Sequence, residues 1–482
     1  MGYFSFVRGG VRQFSSVPLN GLLQLKTSQS VAIVSGPDAA KFLNGLLTLR
    51  ILPSISKTKL TTISDEEGEY LDLSQSLSIT DDQVRSRSWG ILHDDEYSDG
   101  AAKVGIRRDG RYGMLLSSKG RVYSDLFIYP SPFGNSSSNI PSYLVEFNSG
   151  LERFRKLFTL LNFHKLRTHI TITRPAGVQS WAYFNRSEEF EDYIYTLNDK
   201  FFNNEISKSP EESLALAQKF LRSGLLFQSK YYPQLVKGLL GFAIDNRSSS
   251  PMIRMIIDSS LSPKFSTMFS QKINLDASKK NSASGVFDSN SRLYELLRIK
   301  QGLVEMSDYP LGAHAPLPFE FNIDYANGIN YNKGCYIGQE LTSRTWTRGI
   351  IRKRIMPVHF FAAHGDDSSI LGKLETINDI KLVKKKGQKD KDEKNDPVIN
   401  PFGVSAKKSA NSGLSTAGNV IRAIFDAGLA LVNVNDVDIE ATEDDQNANV
   451  FQVQSDSVPE INSKVQCRVK IPDWWPIEDE AE

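Results

Sequence analysis

Cysteine occurs only twice in the 482 residues of this chain, as Cys335 and Cys467. Two thiols so far apart make no disulfide framework, so a chain this long must be held by buried apolar surface, in a reduced intracellular compartment. The same count limits the chemistry. An iron–sulfur cluster takes about four protein ligands, mostly thiolates, and the chain has no C-x-x-C pair. Its six histidines form no spaced metal motif; His164 and His169, five residues apart, have a spacing poorly suited to one helix face. The length suggests about three domains. Basic and acidic residues balance, 57 against 56, which leaves no electrostatic footprint for nucleic acid. No apolar run approaches the roughly 20 residues of a membrane span.

The first cysteine lies in Lys333-Gly334-Cys335-Tyr336-Ile337-Gly338-Gln339-Glu340. Gly334 and Gly338 permit backbone conformations and close approaches that a side chain would block. Tyr336 to Trp346 reads as a helix, with Glu340 and Arg344 paired at i, i+4. Cys335 then falls at or near a helix N-terminus, where the dipole, Lys333 and Arg344 would favour the thiolate, the form that binds metal or attacks an electrophile. The other reading is a small, inert core residue, as most free cysteines are. Cys467, in Val465-Gln466-Cys467-Arg468-Val469, reads as a buried strand residue.

The octapeptide resembles the K-G-C-Y/F-x-G-Q-E signature of the YgfZ-type folate-binding-fold proteins, relatives of the glycine-cleavage aminomethyltransferase. Other blocks follow in that family's order. Gly36-Pro37-Asp38-Ala39-Ala40-Lys41-Phe42-Leu43-Asn44-Gly45-Leu46-Leu47-Thr48 is similar to its first helix. Lys119-Gly120-Arg121 with Asp125 is similar to its K-G-R-x-x-x-D hairpin. Leu166-Arg167 and Leu297-Arg298-Ile299 before Gly302 also fit. The resemblance implies an α+β, aminomethyltransferase-like body with a small C-terminal β-barrel. It implies a mitochondrial matrix protein of late iron–sulfur cluster assembly, serving [4Fe-4S] clients of the aconitase and radical-SAM types. Cys335 would be a redox-active thiol or one ligand of a transient cluster shared with an A-type scaffold protein. Tyr336, Gln339 and Glu340 would support the loop. The enzyme reading is a folate-dependent one-carbon transferase. Asp125 would be its catalytic carboxylate, and Lys119, Gly120, Arg121 and Arg298 would face a tetrahydrofolate-sized cavity. Ser124 replaces the first acid of the transferase hairpin, and Thr48-Leu49-Arg50 replaces its T-N-D. In a third reading the octapeptide only packs domains together.

Met1 to Pro37 has no Asp or Glu but carries Arg8, Arg12 and Lys26, as a mitochondrial transit peptide does, and residues 1–17 are assigned to one. Residues 18–345 are assigned to the body and 346–482 to the barrel domain. Ala39, Phe42, Leu43 and Leu46 make one apolar helix face. Met114 to Tyr129 reads as two strands about a Ser118-Lys119-Gly120 turn. Leu151, Phe154, Leu157, Phe158 and Leu161 mark a second helix, and Thr168 to Thr173 a strand. Leu293, Leu296 and Leu297 mark a helix that Gly302 could end. Insertions are expected near 74–100 and 200–240. A disordered loop is expected near 381–412, where interleaved Lys and Asp leave almost nothing apolar to offset the ordering entropy.

Overall fold

The computed structural model describes residues 18–53, 79–95, 103–135, 140–203, 207–273, 284–287, 292–310, 314–363, 368–385, 414–441, 445 and 448–476. The proposed transit peptide therefore lies outside the described residues, as do 74–78 and 96–100 of the first insertion and 386–412 of the charged loop. The described residues fall into two compact units: 18–350 with 473–476, and 351–472.

The first unit starts with strands β1 (Asn20–Leu25) and β2 (Val31–Ser35) and helix α1 (Ala39–Leu46). A single turn, α2 (Asp81–Val84), precedes β3 (Ile91–Asp95) and β4 (Lys103–Arg107). Then come β5 (Arg111–Leu116), β6 (Val122–Pro130), β7 (Ser142–Phe147), α3 (Gly150–His164), β8 (Thr171–Thr173) and β9 (Val178–Asn185). Helices α4 (Glu189–Phe201), α5 (Pro210–Arg222) and α6 (Tyr232–Gly238) lead to β10 (Leu239–Asp245) and β11 (Met252–Asp258). Strand β12 (Ser284–Phe287), α7 (Leu293–Lys300) and α8 (Gln339–Arg348) follow.

Two five-stranded sheets organise this unit, in the orders β10-β11-β9-β1-β12 and β5-β6-β7-β2-β8. Strand alternation sorts each sheet into an apolar face and a polar one. On the second sheet Leu126, Ile128, Tyr143, Val145 and Phe147 join a core covered by α1 and α3, through Phe42, Leu43, Leu46, Phe154, Leu157 and Leu161. On the first sheet Phe242, Ile244, Ile253, Met255 and Ile257 join a core covered by α4, α5 and α6, rich in Phe190, Phe201, Phe220 and Leu235. The residues between these in sequence point the other way. They include Asp125, Phe127, Tyr129, Glu146, Asp245 and Arg254, all buried where the two sheets face each other. Arg254 on β11 meets Glu146 on β7 at 3.0 Å, which joins the sheets directly.

The second unit is a closed barrel, ordered β13 (Lys353–Ala362), β16 (Ala427–Asn433), β15 (Leu414–Ile424), β14 (Lys381–Lys385), β17 (Val450–Gln454) and β18 (Val465–Val469). Closure leaves no unpaired sheet edge. Cys467 on β18 is fully buried inside this unit.

The α+β class and the C-terminal barrel are thus as expected from the sequence. Four local readings are corrected. Residues 79–95 carry α2 and β3 rather than a polar insertion throughout, because Trp89, Ile91 and Leu92 are apolar enough to enter the core. Lys381–Lys385 is barrel strand β14, since Leu382 and Val383 give it buried side chains that the lysines around them obscure. The strand at Thr168–Thr173 is only Thr171–Thr173. The boundary at 345/346 falls within α8, which runs on to Arg348 before Gly349 takes the left-handed conformation that ends it. No helix among the described residues is long and apolar enough to cross a membrane.

Gly45 lies inside α1, where an added methyl would meet nothing within 4 Å. Gly45→Ala is expected to stabilise the protein by about 0.5–1 kcal/mol through helix propensity alone. Urea unfolding checks this, and a lower midpoint would contradict it.

Candidate functional site

Cys335 is exposed, and the residues around it explain how it is presented. Lys333 is buried although it is a lysine. Its ammonium donates to three carbonyls at the end of α1: Asn44 O at 2.7 Å, Leu49 O at 2.7 Å and Leu47 O. An ammonium has three donors, so its hydrogen-bonding capacity is filled. A cation here also suits the negative end of the α1 dipole and satisfies carbonyls that the helix leaves unpaired. Burial pushes its pKa down to about 7, while the three carbonyls favour the ammonium.

On the other side of the thiol, Tyr336 is buried, with its ring 4.7 Å from the Lys333 ammonium. Its hydroxyl and that of Thr342 on α8 are 2.7 Å apart, and its backbone N–H donates to Gln339 Oε1 at 3.3 Å. The chain is therefore buried at Lys333, exposed at Cys335 and buried again at Tyr336.

Two glycines seat this loop on the rest of the unit. Gly338 has φ +83°, and a Cβ there would fall 2.6 Å from Ser117 O and 3.1 Å from Gly120 Cα. Gly120 has φ +71°, and its Cβ would fall 2.6 Å from Leu341 Cβ and 3.1 Å from Gly338 O. The β5–β6 turn and the thiol motif, more than 200 residues apart in the chain, each need glycine because each is the other's close neighbour.

The flanking cations are placed differently from the expectation. Helix α8 begins at Gln339, not Tyr336, because Gly338 in a left-handed conformation interrupts the backbone before it. Lys333 is engaged by the α1 carbonyls. Arg344 pairs with Glu340 at 2.6 Å on the exposed face of α8. Neither is committed to the thiol. Trp346 is half exposed and stacks on Tyr331, with ring centroids 4.0 Å apart.

Asp125 lies in the seam between the sheets and is fully buried. Its Oδ2 accepts from Asn148 Nδ2 and its Oδ1 from the Met306 N–H, both at 2.8 Å. Around it run Arg247, bidentate to Asp245 at 2.8 Å, and Arg254, paired with Glu146. Arg298 is bidentate to Asp308, at 2.6 and 2.5 Å, and lies 3.5 Å from Glu305. Five carboxylates (Asp125, Glu146, Asp245, Glu305, Asp308) thus face three guanidiniums. Burial, and then the neighbouring Glu305, push the Asp125 carboxyl up from 3.8 to about 7. Burial also opposes ionisation of Glu146 and Asp245, but Arg254 and Arg247 respectively hold these two below the usual range. The excess negative charge of the seam is thereby relieved at Asp125, whose nearest cation, Arg247 Nη1, is 4.0 Å away.

A pocket of roughly 260 Å³, counting its open mouth, is lined by Tyr112, Arg247, Phe321, Asn322 and Trp474 among others. The four residues expected to line a folate cavity do not line it. Lys119 and Arg121 are exposed on the β5–β6 turn, Arg121 donating to Ala315 O at 2.6 Å. Gly120 packs on α8, and only Arg298 joins the buried network. Arg50, in place of the transferase acid, turns back on its own loop, donating to Leu52 O and Pro53 O.

No family model matches the chain. A curated relative from Debaryomyces hansenii, the "Iron-sulfur cluster assembly factor IBA57 homolog, mitochondrial", is 32% identical over 96% of this chain and 100% of that protein. The chain belongs to the mitochondrial IBA57 iron–sulfur cluster assembly factor family. A second IBA57 homolog, from Candida albicans, is 32% identical over 95% of this chain and 99% of its own length. The Saccharomyces cerevisiae IBA57 factor is 29% identical over 77% and 73%. Among solved structures, the glycine cleavage system aminomethyltransferase T from Bartonella henselae is similar at a TM-score of 0.46 and 10% identity, covering 95% of this chain and 87% of that one.

In this IBA57-family chain the seam residues Glu146, Asp245, Arg247, Arg254 and Glu305 escaped the sequence reading. Their signal is local: Arg254 interrupts the apolar run Met252-Ile253-Arg254-Met255-Ile256-Ile257, where a lone charge in a two-sided buried strand requires a partner.

Asp125 has a pKa raised on folding, so its stabilising contribution is full below about 4 and is lost as pH rises through about 7. Urea unfolding should show the stability of wild type relative to Asp125→Asn falling across that window, by on the order of 2–4 kcal/mol. A difference that does not vary with pH would contradict the protonated seam.

Proposed function

We propose that this IBA57-family chain assists the maturation of [4Fe-4S] proteins in the mitochondrial matrix, with Cys335 lending one thiolate to a cluster shared with an A-type scaffold protein. The observation that carries the proposal is the contrast between the two thiols. Cys335 is exposed on a held loop. Cys467 is sealed in the barrel, where burial pushes its thiol well above the ordinary range. Among the described residues, no group of three or more His, Cys, Asp or Glu could hold a metal ion. With one accessible thiol, the chain can complete a cluster's ligand set of about four only beside a partner. The cluster is cargo in this scheme. The protein's part is to offer a ligand at a defined place and then release it to clients of the aconitase and radical-SAM types. The exposed Trp346 beside the motif suits a partner-facing surface, where tryptophan is enriched.

The alternative, a folate-dependent one-carbon transferase, draws support from the raised pKa of Asp125, which would suit a general base near neutral pH. The geometry gives it less support. Both oxygens of Asp125 already accept internal hydrogen bonds, and the group has no exposed surface to offer a folate nitrogen.

The test is aconitase activity in mitochondria lacking the chain, complemented with wild type, Cys335→Ala or Cys467→Ala, with a [2Fe-2S] enzyme as control. Wild type and Cys467→Ala should restore aconitase, and Cys335→Ala should leave it at the deletion level. The exposed Cys335 site should change stability by no more than about 0.5 kcal/mol, so the loss cannot be assigned to unfolding. Full rescue by Cys335→Ala would refute the thiol's role. Untouched aconitase in the deletion would refute the assembly reading.

A further inference from the structure

The lysine of the thiol motif stands two residues from Cys335, yet its ammonium serves α1. We infer that Lys333 is a positioning residue: it pins the Cys335 loop to the C-terminal end of α1 and thereby fixes where the thiol is presented to a partner-bound cluster. This deepens the proposed function and rests on it for the thiol's role as a ligand.

The ammonium has one acceptor for each of its donors, Asn44 O, Leu47 O and Leu49 O, so its direction is set by three points on another element. Those acceptors are themselves fixed. Asn44 Oδ1 accepts the backbone N–H groups of Ile51 and Leu52, closing the turn after α1. Thr48 Oγ1 donates to Gly328 O at 2.6 Å and accepts the Met114 N–H at 2.9 Å, tying the same turn to β5 and to the segment ahead of the thiol motif. The second anchor is Tyr336, buried and joined to α8 through Thr342. Gly334 and Cys335 therefore span a two-residue bridge between buried anchors. A cluster ligand needs this arrangement, because a thiolate on a loose loop must be ordered each time it binds. On the neighbouring α8, Glu340 and Arg344 pair with each other in solvent and Arg348 is exposed in the last turn, so none of its charged groups replaces the pin.

Electrostatic tuning of the thiol by Lys333 is the competing explanation, and the two differ in a spectroscopic signature. Cys335 is exposed and Cys467 buried, so a nitroxide label should react at Cys335 alone. In wild type its spectrum should be that of a held backbone. Lys333→Met keeps the length and bulk of the side chain but removes the three hydrogen bonds. It should sharpen the label's lines while the protein stays folded. It should also lower the yield of shared-cluster absorbance with an A-type partner roughly 10- to 100-fold, as loss of a supporting contact at a metal site does. Tyr336→Phe loosens the other anchor without exposing carbonyls and should shift the label in the same direction by less. It serves as the test variant if Lys333→Met does not fold. An unchanged label spectrum with slowed alkylation of Cys335 would overturn the pin in favour of tuning. A lower melting temperature with an unchanged label would leave a purely structural lysine and also overturn it. A mobile label with full cluster yield would overturn the presenting role. The label measurement needs neither partner nor cluster. If wild type itself forms no shared cluster, the proposed function fails while the pin is still decided.

Discussion

The first unit depends on one buried ion pair. Arg254 on β11 and Glu146 on β7 meet at 3.0 Å with almost no solvent access. Each sheet has already buried its apolar face under helices, so the faces that meet carry alternate residues of strands whose other side is committed to a core. A charge there cannot be left alone, because an isolated buried ion costs several kcal/mol even after relaxation. The pair is accordingly wrapped. Tyr129 and Thr27 donate to Glu146, and the Arg254 guanidinium lies 4.4 Å from the Phe127 ring centre. Arg247 and Asp245 extend the network, and the surplus of acid is relieved at Asp125. At Asp125 the seam is a closed electrostatic joint, while Arg247 at its edge also lines the neighbouring pocket.

The thiol is reached from that joint through β6. The strand that buries Asp125 begins just after the Lys119-Gly120-Arg121 turn, and that turn packs by Gly120 against Gly338 and Leu341. Two motifs that resemble one family's signature are thus two sides of one contact. The rigid sheet places the turn, the turn seats α8, and α8 with α1 holds the loop that exposes Cys335. A catalytic carboxylate and a ligand thiol make different demands on such a body. Asp125 is closed off by its own hydrogen bonds, whereas Cys335 is turned outward, which suits a factor that shares its cargo rather than transforming a small molecule.

Much of this was legible in the chain, for physical reasons that can be named. Phe42, Leu43 and Leu46 at helical spacing made α1 readable, and Met114 to Tyr129 gave the β5–β6 hairpin because glycine marks its turn. The barrel was readable as β-rich around Gly418 to Val434, although its strand at Lys381 to Lys385 was hidden by flanking charge. Cys335 stood out by rarity and by its glycines. The role of Lys333 was not readable, because nearness in sequence placed its charge beside the thiol while the fold carries it to carbonyls nearly 290 residues earlier. Of the ion network only Arg254, alone in its apolar run, signals that a buried partner must exist, and which partner it meets was unreadable for the same reason. The network's members come from β6, β7, β10, the β10–β11 connection, β11, α7 and the segment after it, and only the meeting of two sheets brings them together.

The most direct test is anaerobic reconstitution of the full chain with an A-type scaffold protein, iron and sulfide, followed by visible absorption. A shared cluster predicts absorbance that appears only with both proteins present, survives Cys467→Ala and is lost with Cys335→Ala. The same absorbance with Cys335→Ala, or none with wild type, would contradict a ligand role for this thiol.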